Sequence, residues 1–161
     1  MLVQRITAEP LTPDGFAPFG DVLDCSGAPD RMINDGMCGR YHDRARLEFQ
    51  GGRAGISLFD AVPRALPHGF DLVERHPLGS QAFLPLSAAP FLVVVAPDQA
   101  GTPGQPLAFV TAPHQGINLH RGIWHGVLTP LASPGLFAVV DRIGEGGNLE
   151  EYRYARGFVV V

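Results

Sequence analysis

An all-β domain is the fold class this sequence predicts: a sandwich, jelly roll or closed barrel carrying a few short helices. Three observations predict it. Glycine (20) and proline (15) supply more than a fifth of the 161 residues and are spread evenly, and even punctuation between short apolar runs marks many short strands. Helical periodicity is nearly absent, whereas two-residue alternation recurs. Apolar residues reach 45% and charged residues only 17%, too apolar for disorder and too lightly charged for a coiled coil. The length is that of one domain spanning residues 1–161, with no repeat or linker to divide it. Such a chain buries roughly 68–70% of its unfolded surface, so neither a disulfide nor a structural metal is needed to hold its core.

The elements follow in order. Residues 12–20 (TPDGFAPFG) predict a short helix. Thr12 caps it, Pro13 takes its first position, Phe16 and Phe19 share a face, and Gly20 ends it. Ala45, Leu47 and Phe49 then alternate with Arg44, Arg46 and Glu48. After Gly51-Gly52, Ala54, Ile56 and Leu58 alternate with Gly55, Ser57 and Phe59. That pattern predicts a hairpin. Further strands are expected at 70–76, 81–86, 91–96, 107–111, 125–128, 136–141 and 157–161. Turn residues separate them at 76–80, 100–104 and 144–147. About ten strands in one domain fit a sandwich, jelly roll or barrel.

Composition excludes several functions. The net charge is -4, whereas a nucleic-acid surface wants clustered positive charge. All 12 basic residues are arginines, which removes Schiff-base chemistry, pyridoxal phosphate attachment and a P-loop lysine. The longest apolar run, 90–97, is far short of the ~20 residues of a membrane span. The start, MLVQRITAEP, shows no signal-peptide pattern. Cys25 and Cys38 form no C-x-x-C pair. They read as reduced thiols of a cytoplasmic protein, with a cysteine nucleophile beside a histidine as the rarer alternative.

No G-x-S-x-G, S-x-x-K, H-E-x-x-H or strand-linked G-x-G-x-x-G is present. What remains is histidine, unevenly placed. Three of the six lie in PHQGINLHRGIWH, residues 113–125. His120 and His125 are five apart and would face opposite ways on one strand. A turn at Arg121-Gly122 would let both enter one cavity. Read in isolation, His125 is as much a hydrogen-bonded core residue as a site residue, and Trp124 is packing. Glu74 and His76 are two apart, hence on one face of a strand. The turn after them brings Gln81 back beside the pair. Taken alone, such a trio is more often a solvated strand end.

The pattern E-R-H-P-L-G-S-Q resembles the first cupin motif, where two histidines two apart are followed after a turn by a glutamate. H-R-G-I-W-H resembles the second. The resemblance implies a cupin-type double-stranded β-helix with Glu74, His76, Gln81 and His125 at the metal positions. Two substitutions set this chain apart: Glu74 stands for the first histidine and Gln81 for the glutamate. A neutral amide is a weak ligand, so a divalent metal is expected to be loosely held. A narrower resemblance covers nearly the whole chain. The strings F-G-D-V-L (19–23), I-N-D-G (33–36), R-Y-H-D (40–43), E-R-H-P-L-G-S-Q-A-F-L-P (74–85), V-V-V-A (93–96), G-I-N-L-H-R-G-I-W-H (116–125) and D-R (141–142) are similar to the ureidoglycolate lyase family. That resemblance implies elimination of urea from (S)-ureidoglycolate to give glyoxylate in allantoin breakdown. It also implies a cytoplasmic homodimer, with Ni2+ as the metal and no organic cofactor.

The residue inventory suits that chemistry. Elimination needs a base for the hydroxyl proton, an acid for the departing nitrogen and a partner for the substrate carboxylate. Histidine titrates near neutrality and serves as either acid or base, and arginine forks onto a carboxylate. Under this reading Glu74, His76, His120 and His125 are the catalytic candidates, with His120 first for proton transfer. Asn118 and Gln81 contact the ureido group and substrate. Tyr41 and His42 close the pocket, from the N-terminal region or from a partner subunit; a turn with a surface ion pair is the plainer reading of residues 40–43. Arg75 points out of the barrel, and Asp141 and Arg142 read as a turn or salt bridge. Two rival functions stay open. Two histidines and a carboxylate also form the ligand set of a non-haem iron oxygenase, and a non-catalytic barrel would bind a small acid without turning it over.

Overall fold

The computed structural model describes residues 3–161. Its strands are β1 (Gln4–Ile6), β2 (Ala8–Pro10), β3 (Gly20–Leu23), β4 (Arg31–Ile33), β5 (Cys38–Arg40), β6 (Arg53–Asp60), β7 (His68–Arg75), β8 (Gln81–Pro85) and β9 (Phe91–Ala96). They continue as β10 (Asp98–Gln99), β11 (Thr102–Pro103), β12 (Leu107–Val110), β13 (Gly116–Leu119), β14 (Trp124–His125), β15 (Thr129–Pro130), β16 (Leu136–Ile143) and β17 (Glu150–Val160). A single helix, α1 (Pro13–Phe16), is found among the described residues, where a few were expected. Thr12 caps it as predicted, its Oγ1 accepting from the Gly15 N–H at 3.1 Å. No helix among the described residues is long and apolar enough to cross a membrane.

The strands form two large sheets. One runs β1-β17-β7-β14-β9-β12-β2, with β15 also on β9; the other runs β3-β13-β8-β16-β6. This is the cupin-type jelly roll that the motifs imply. Strand parity decides which residues lie between the sheets. Phe91, Val93 and Val95 of β9 meet Phe83 of β8, Ile117 and Leu119 of β13, and Phe137 and Val139 of β16 in the largest buried cluster. Phe91 and Phe137 touch edge to face, with centroids 5.0 Å apart and planes at 82°, a geometry worth roughly 0.5–1.5 kcal/mol beyond area burial. Gly20 lets β3 approach β13 closely, since a Cβ there would lie 1.9 Å from the Asn118 carbonyl oxygen.

Two expectations are corrected. Residues 44–49 are not one arm of a hairpin: β6 pairs with β16 instead. The segment is pinned separately, the Arg46 N–H donating to Asp21, the Glu48 N–H to the Ser80 hydroxyl oxygen and the Ser80 N–H to the Glu48 carbonyl. Its alternation comes from lying over a sheet face, not from pairing. The 125–128 strand is split into β14 and β15, both on β9.

Candidate active site

Strand register assembles the site. His125 of β14 pairs with Glu74 of β7 on one side and with Val95 of β9 on the other. Val95 faces the core, so His125 and Glu74 face the interior too. His76 follows β7 at the start of the turn. One ligand atom each from Glu74, His76 and His125 lie within 4.8 Å of one another, and the two imidazole centroids are 5.2 Å apart.

Backbone carbonyls set the tautomers. The His76 Nδ1–H donates to the Asn148 carbonyl at 2.7 Å, and the His125 Nδ1–H donates to the Gly126 carbonyl at 2.9 Å. A carbonyl only accepts, so each neutral ring keeps its lone pair on Nε2. Both Nε2 atoms are buried and lack a hydrogen-bond partner. Burial, reinforced by the neighbouring His76, lowers the His125 pKa to about 4, although the Gly126 bond works the other way. His125 is therefore neutral at pH 7. Burial pushes the Glu74 carboxyl above the usual carboxylate range; His76 draws it back, and Glu151, its cross-strand neighbour, adds to the rise.

Gln81 opens β8 on the same face as core Phe83. Its Nε2–H donates to Asp141 Oδ2 at 3.2 Å, and its Oε1 is buried without a partner. Three buried acceptor atoms without partners and one half-buried carboxylate are what a divalent cation wants, since buried polar atoms are otherwise satisfied. Glu74, His76 and His125 thus fit a metal by donor chemistry and convergence, and Gln81, on the interior face of the other sheet, offers a further buried oxygen without a partner.

Other predicted residues lie elsewhere. Asn118 and Asp21 pair across β13 and β3 on the outer face of the five-stranded sheet. There Asp21 Oδ2 accepts from the Asn118 amide and Arg46 N–H and meets His120 Nε2 at 3.0 Å. Burial alone would raise the Asp21 carboxyl, but these bonds hold it below its usual value. The Arg121-Gly122 turn is present, Gly122 having φ +78°, yet it does not bring His120 to the cluster. Tyr41 donates its hydroxyl to the Gly27 carbonyl at 2.8 Å, and the His42 N–H donates to Asp30. Both contacts tie the 41–42 segment to residues 27–30. A cavity of about 780 Å³ is also on the outer face, lined by Tyr41, Leu47, Leu84 and Val140 among others.

Neither Arg75 nor Arg142 forks into the barrel. Arg75 points outward as expected, stacked 4.4 Å from the Trp124 ring and bridged to Asp98 and Glu150. Arg142 is buried but donates to the carbonyls of Gln50, Gly51 and Glu145. Sequence reasoning took Asp141 for a turn or salt-bridge residue, whereas it meets Gln81, and it missed Asn148 and Glu151. The parity of Asp141 with core Val139 and Phe137 is a signal for that contact, whereas Asn148 sits in a glycine-rich turn that carries none.

Comparison with known proteins places this arrangement in a family. The family model for ureidoglycolate lyase matches residues 3–161. A ureidoglycolate lyase of Rhodobacter capsulatus is 64% identical over 93% of this chain and 94% of its own length. Those of Mesorhizobium japonicum and Chelativorans sp. are 53% and 49% identical, over 97% and 98% of this chain and 97% of their own lengths. The chain belongs to the ureidoglycolate lyase family.

Proposed function

We propose that this member of the family is a carbon–nitrogen lyase that converts (S)-ureidoglycolate to glyoxylate and urea. The observation that carries the site assignment is the convergence of Glu74, His76 and His125 with both Nε2 lone pairs bare; the relatives' names supply the substrate.

The substrate carries a hydroxyl and a ureido nitrogen on one carbon. Glu74, half-buried and with its proton affinity raised by burial, takes the hydroxyl proton. The oxygen's electrons form the aldehyde, the carbon–nitrogen bond breaks, and its electron pair goes to nitrogen. Glu74 returns the proton there, releasing urea. A positioned acid–base group contributes typically 10²–10⁴-fold. His125, neutral at pH 7, and His76 orient the hydroxyl oxygen or hold the metal. Glu74, His76, Gln81 and His125 would hold a loosely bound divalent ion, Ni2+ under the family resemblance; when bound, it stabilises the developing alkoxide.

The protein works as a cytoplasmic homodimer. In support, Cys25 and Cys38 are exposed free thiols, as in a reducing compartment. Ile56 and Leu58, each 74% exposed, stand side by side on β6 at an edge of the five-stranded sheet, and proteins rarely leave an apolar edge uncovered.

Racemic ureidoglycolate is the test substrate. Urea and glyoxylate in equal amounts, from one enantiomer, are the expected products. Ammonia instead of urea would make the protein a hydrolase acting on the same compound. Oxygen consumption with Fe(II) would favour the two-histidine, one-carboxylate oxygenase, and binding without turnover the carrier.

A further inference from the structure

We infer that Asp141 is a positioning residue that turns Gln81 into a metal ligand. The inference rests on the metal reading above and concerns why this chain has glutamine where the cupin pattern has glutamate. A glutamine amide rotated by 180° exchanges its oxygen and nitrogen. Nothing in the Gln81 backbone selects between the two orientations. Asp141 does. Its carboxylate only accepts, so it binds the NH2 end, at 3.2 Å between Nε2 and Oδ2. The oxygen end is thereby left buried, without a hydrogen-bond partner, as His76 Nε2 and His125 Nε2 are. Without Asp141 the amide is free to present N–H groups, which cannot ligate a cation. Bonds from such neighbouring groups fix ligand orientation, and losing one typically costs 10–100-fold in metal affinity.

The same contact accounts for the residue type. A glutamate at position 81 would set a second carboxylate against Asp141, where an amide makes a hydrogen bond. With Asp141 in place, a neutral amide is the group that can both satisfy it and offer an oxygen. Glu74 then supplies the single carboxylate of the four-residue set.

The test reads metal affinity, not turnover. Chelator-treated protein is titrated with Ni2+ by calorimetry, and Co2+ spectra are recorded on the same samples. Asp141→Leu should weaken Ni2+ binding about 10–100-fold and reduce the Co2+ ligand-field bands, with the circular dichroism unchanged. Asp141→Asn keeps an oxygen acceptor and should retain most of the affinity, which loss of a merely structural residue would not predict. Gln81→Glu should tighten binding more in the Asp141→Asn background than in the wild type, because the opposing carboxylate is gone. Wild-type binding with unchanged affinity in Asp141→Leu would overturn the positioning role alone. Equal gains from Gln81→Glu in both backgrounds would overturn the account of the glutamine. No Ni2+ or Co2+ binding by the wild type would overturn the metal reading and this assignment together.

Discussion

His125 is fully enclosed between the sheets, and burial holds its pKa down to about 4, whereas an unfolded histidine titrates near 6.5. Between those values the unfolded chain binds the extra proton and the folded chain does not. Stability from this residue is therefore complete above pH 6.5 and is lost as pH falls toward 4. The loss is about 2 kcal/mol from pH 7 to pH 5, and about 3 kcal/mol by pH 4. Over the first interval that corresponds to a fall in Tm of roughly 4–8 °C for a chain of this size. Other groups titrate too. His68, its pKa lowered by burial and Arg64, adds a loss of the same sign. Glu74, raised, acts in the opposite sense, and the lowered Asp21 costs stability only below the ordinary aspartate range. Comparing the wild type with His125→Gln cancels these shared contributions. Urea unfolding at pH 7, 6 and 5, in chelator, should show the stability difference between the two shrinking by about 2 kcal/mol. The ring resonances of His125 in the folded protein should show no titration down to pH 5. Parallel pH profiles for the two proteins, or a His125 ring that titrates near 6.5, would refute the reasoning.

Three further outcomes are expected. His76→Ala and His125→Ala should each lower urea release by at least about 10²-fold while circular dichroism stays that of the wild type; near wild-type rates in both would place the chemistry elsewhere. Arg142→Leu strips the donors from three backbone carbonyls and should cost about 3 kcal/mol in chemical unfolding. A double variant, Ile56→Glu with Leu58→Glu, should sediment as a monomer at micromolar concentration where the wild type is a dimer.

Much of this arrangement is written in strand parity. Glu74 and His76, two apart, read as one face, and the register of β7 with β14 adds His125 to it. Arg75, between the first two, falls outside by the same rule and packs on Trp124. Parity fails where no ladder exists. Residues 44–49 alternate like a strand, yet their partners are side chains and a loop, Asp21, Ser80 and the bridge from Phe49 to Gly79. Strands β3 and β13 are only four residues long and each opens on glycine, so the alternation of Ile117, Asn118 and Leu119 is too short a run to announce a strand. The tautomer of His125 is set by the carbonyl of the next residue, Gly126, but that of His76 depends on a carbonyl 72 positions away, which local sequence does not encode.

The same parity argument decides between the two histidines of H-R-G-I-W-H. Ile117 and Leu119 of β13 are core residues, so Asn118 and His120 face the other way, and the observed Asp21 contacts agree. The turn at Arg121-Gly122 then redirects the chain before Trp124 and His125 enter β14. His120 thereby joins a polar clamp that ties β3 and the 44–49 segment to β13, while His125 joins Glu74 inside. If that division of labour holds, His120→Ala should lower stability by about 1 kcal/mol, through one lost hydrogen bond from a ring that is a third exposed to the Asp21 carboxylate, and leave kcat within a few-fold of wild type. His125→Ala should do the reverse to turnover. The two variants are compared under saturating ureidoglycolate, with unfolding measured in parallel. A loss of kcat in His120→Ala as large as that in His125→Ala would move proton transfer to the Asp21–His120 pair on the outer sheet face, where two chains of a dimer would have to meet.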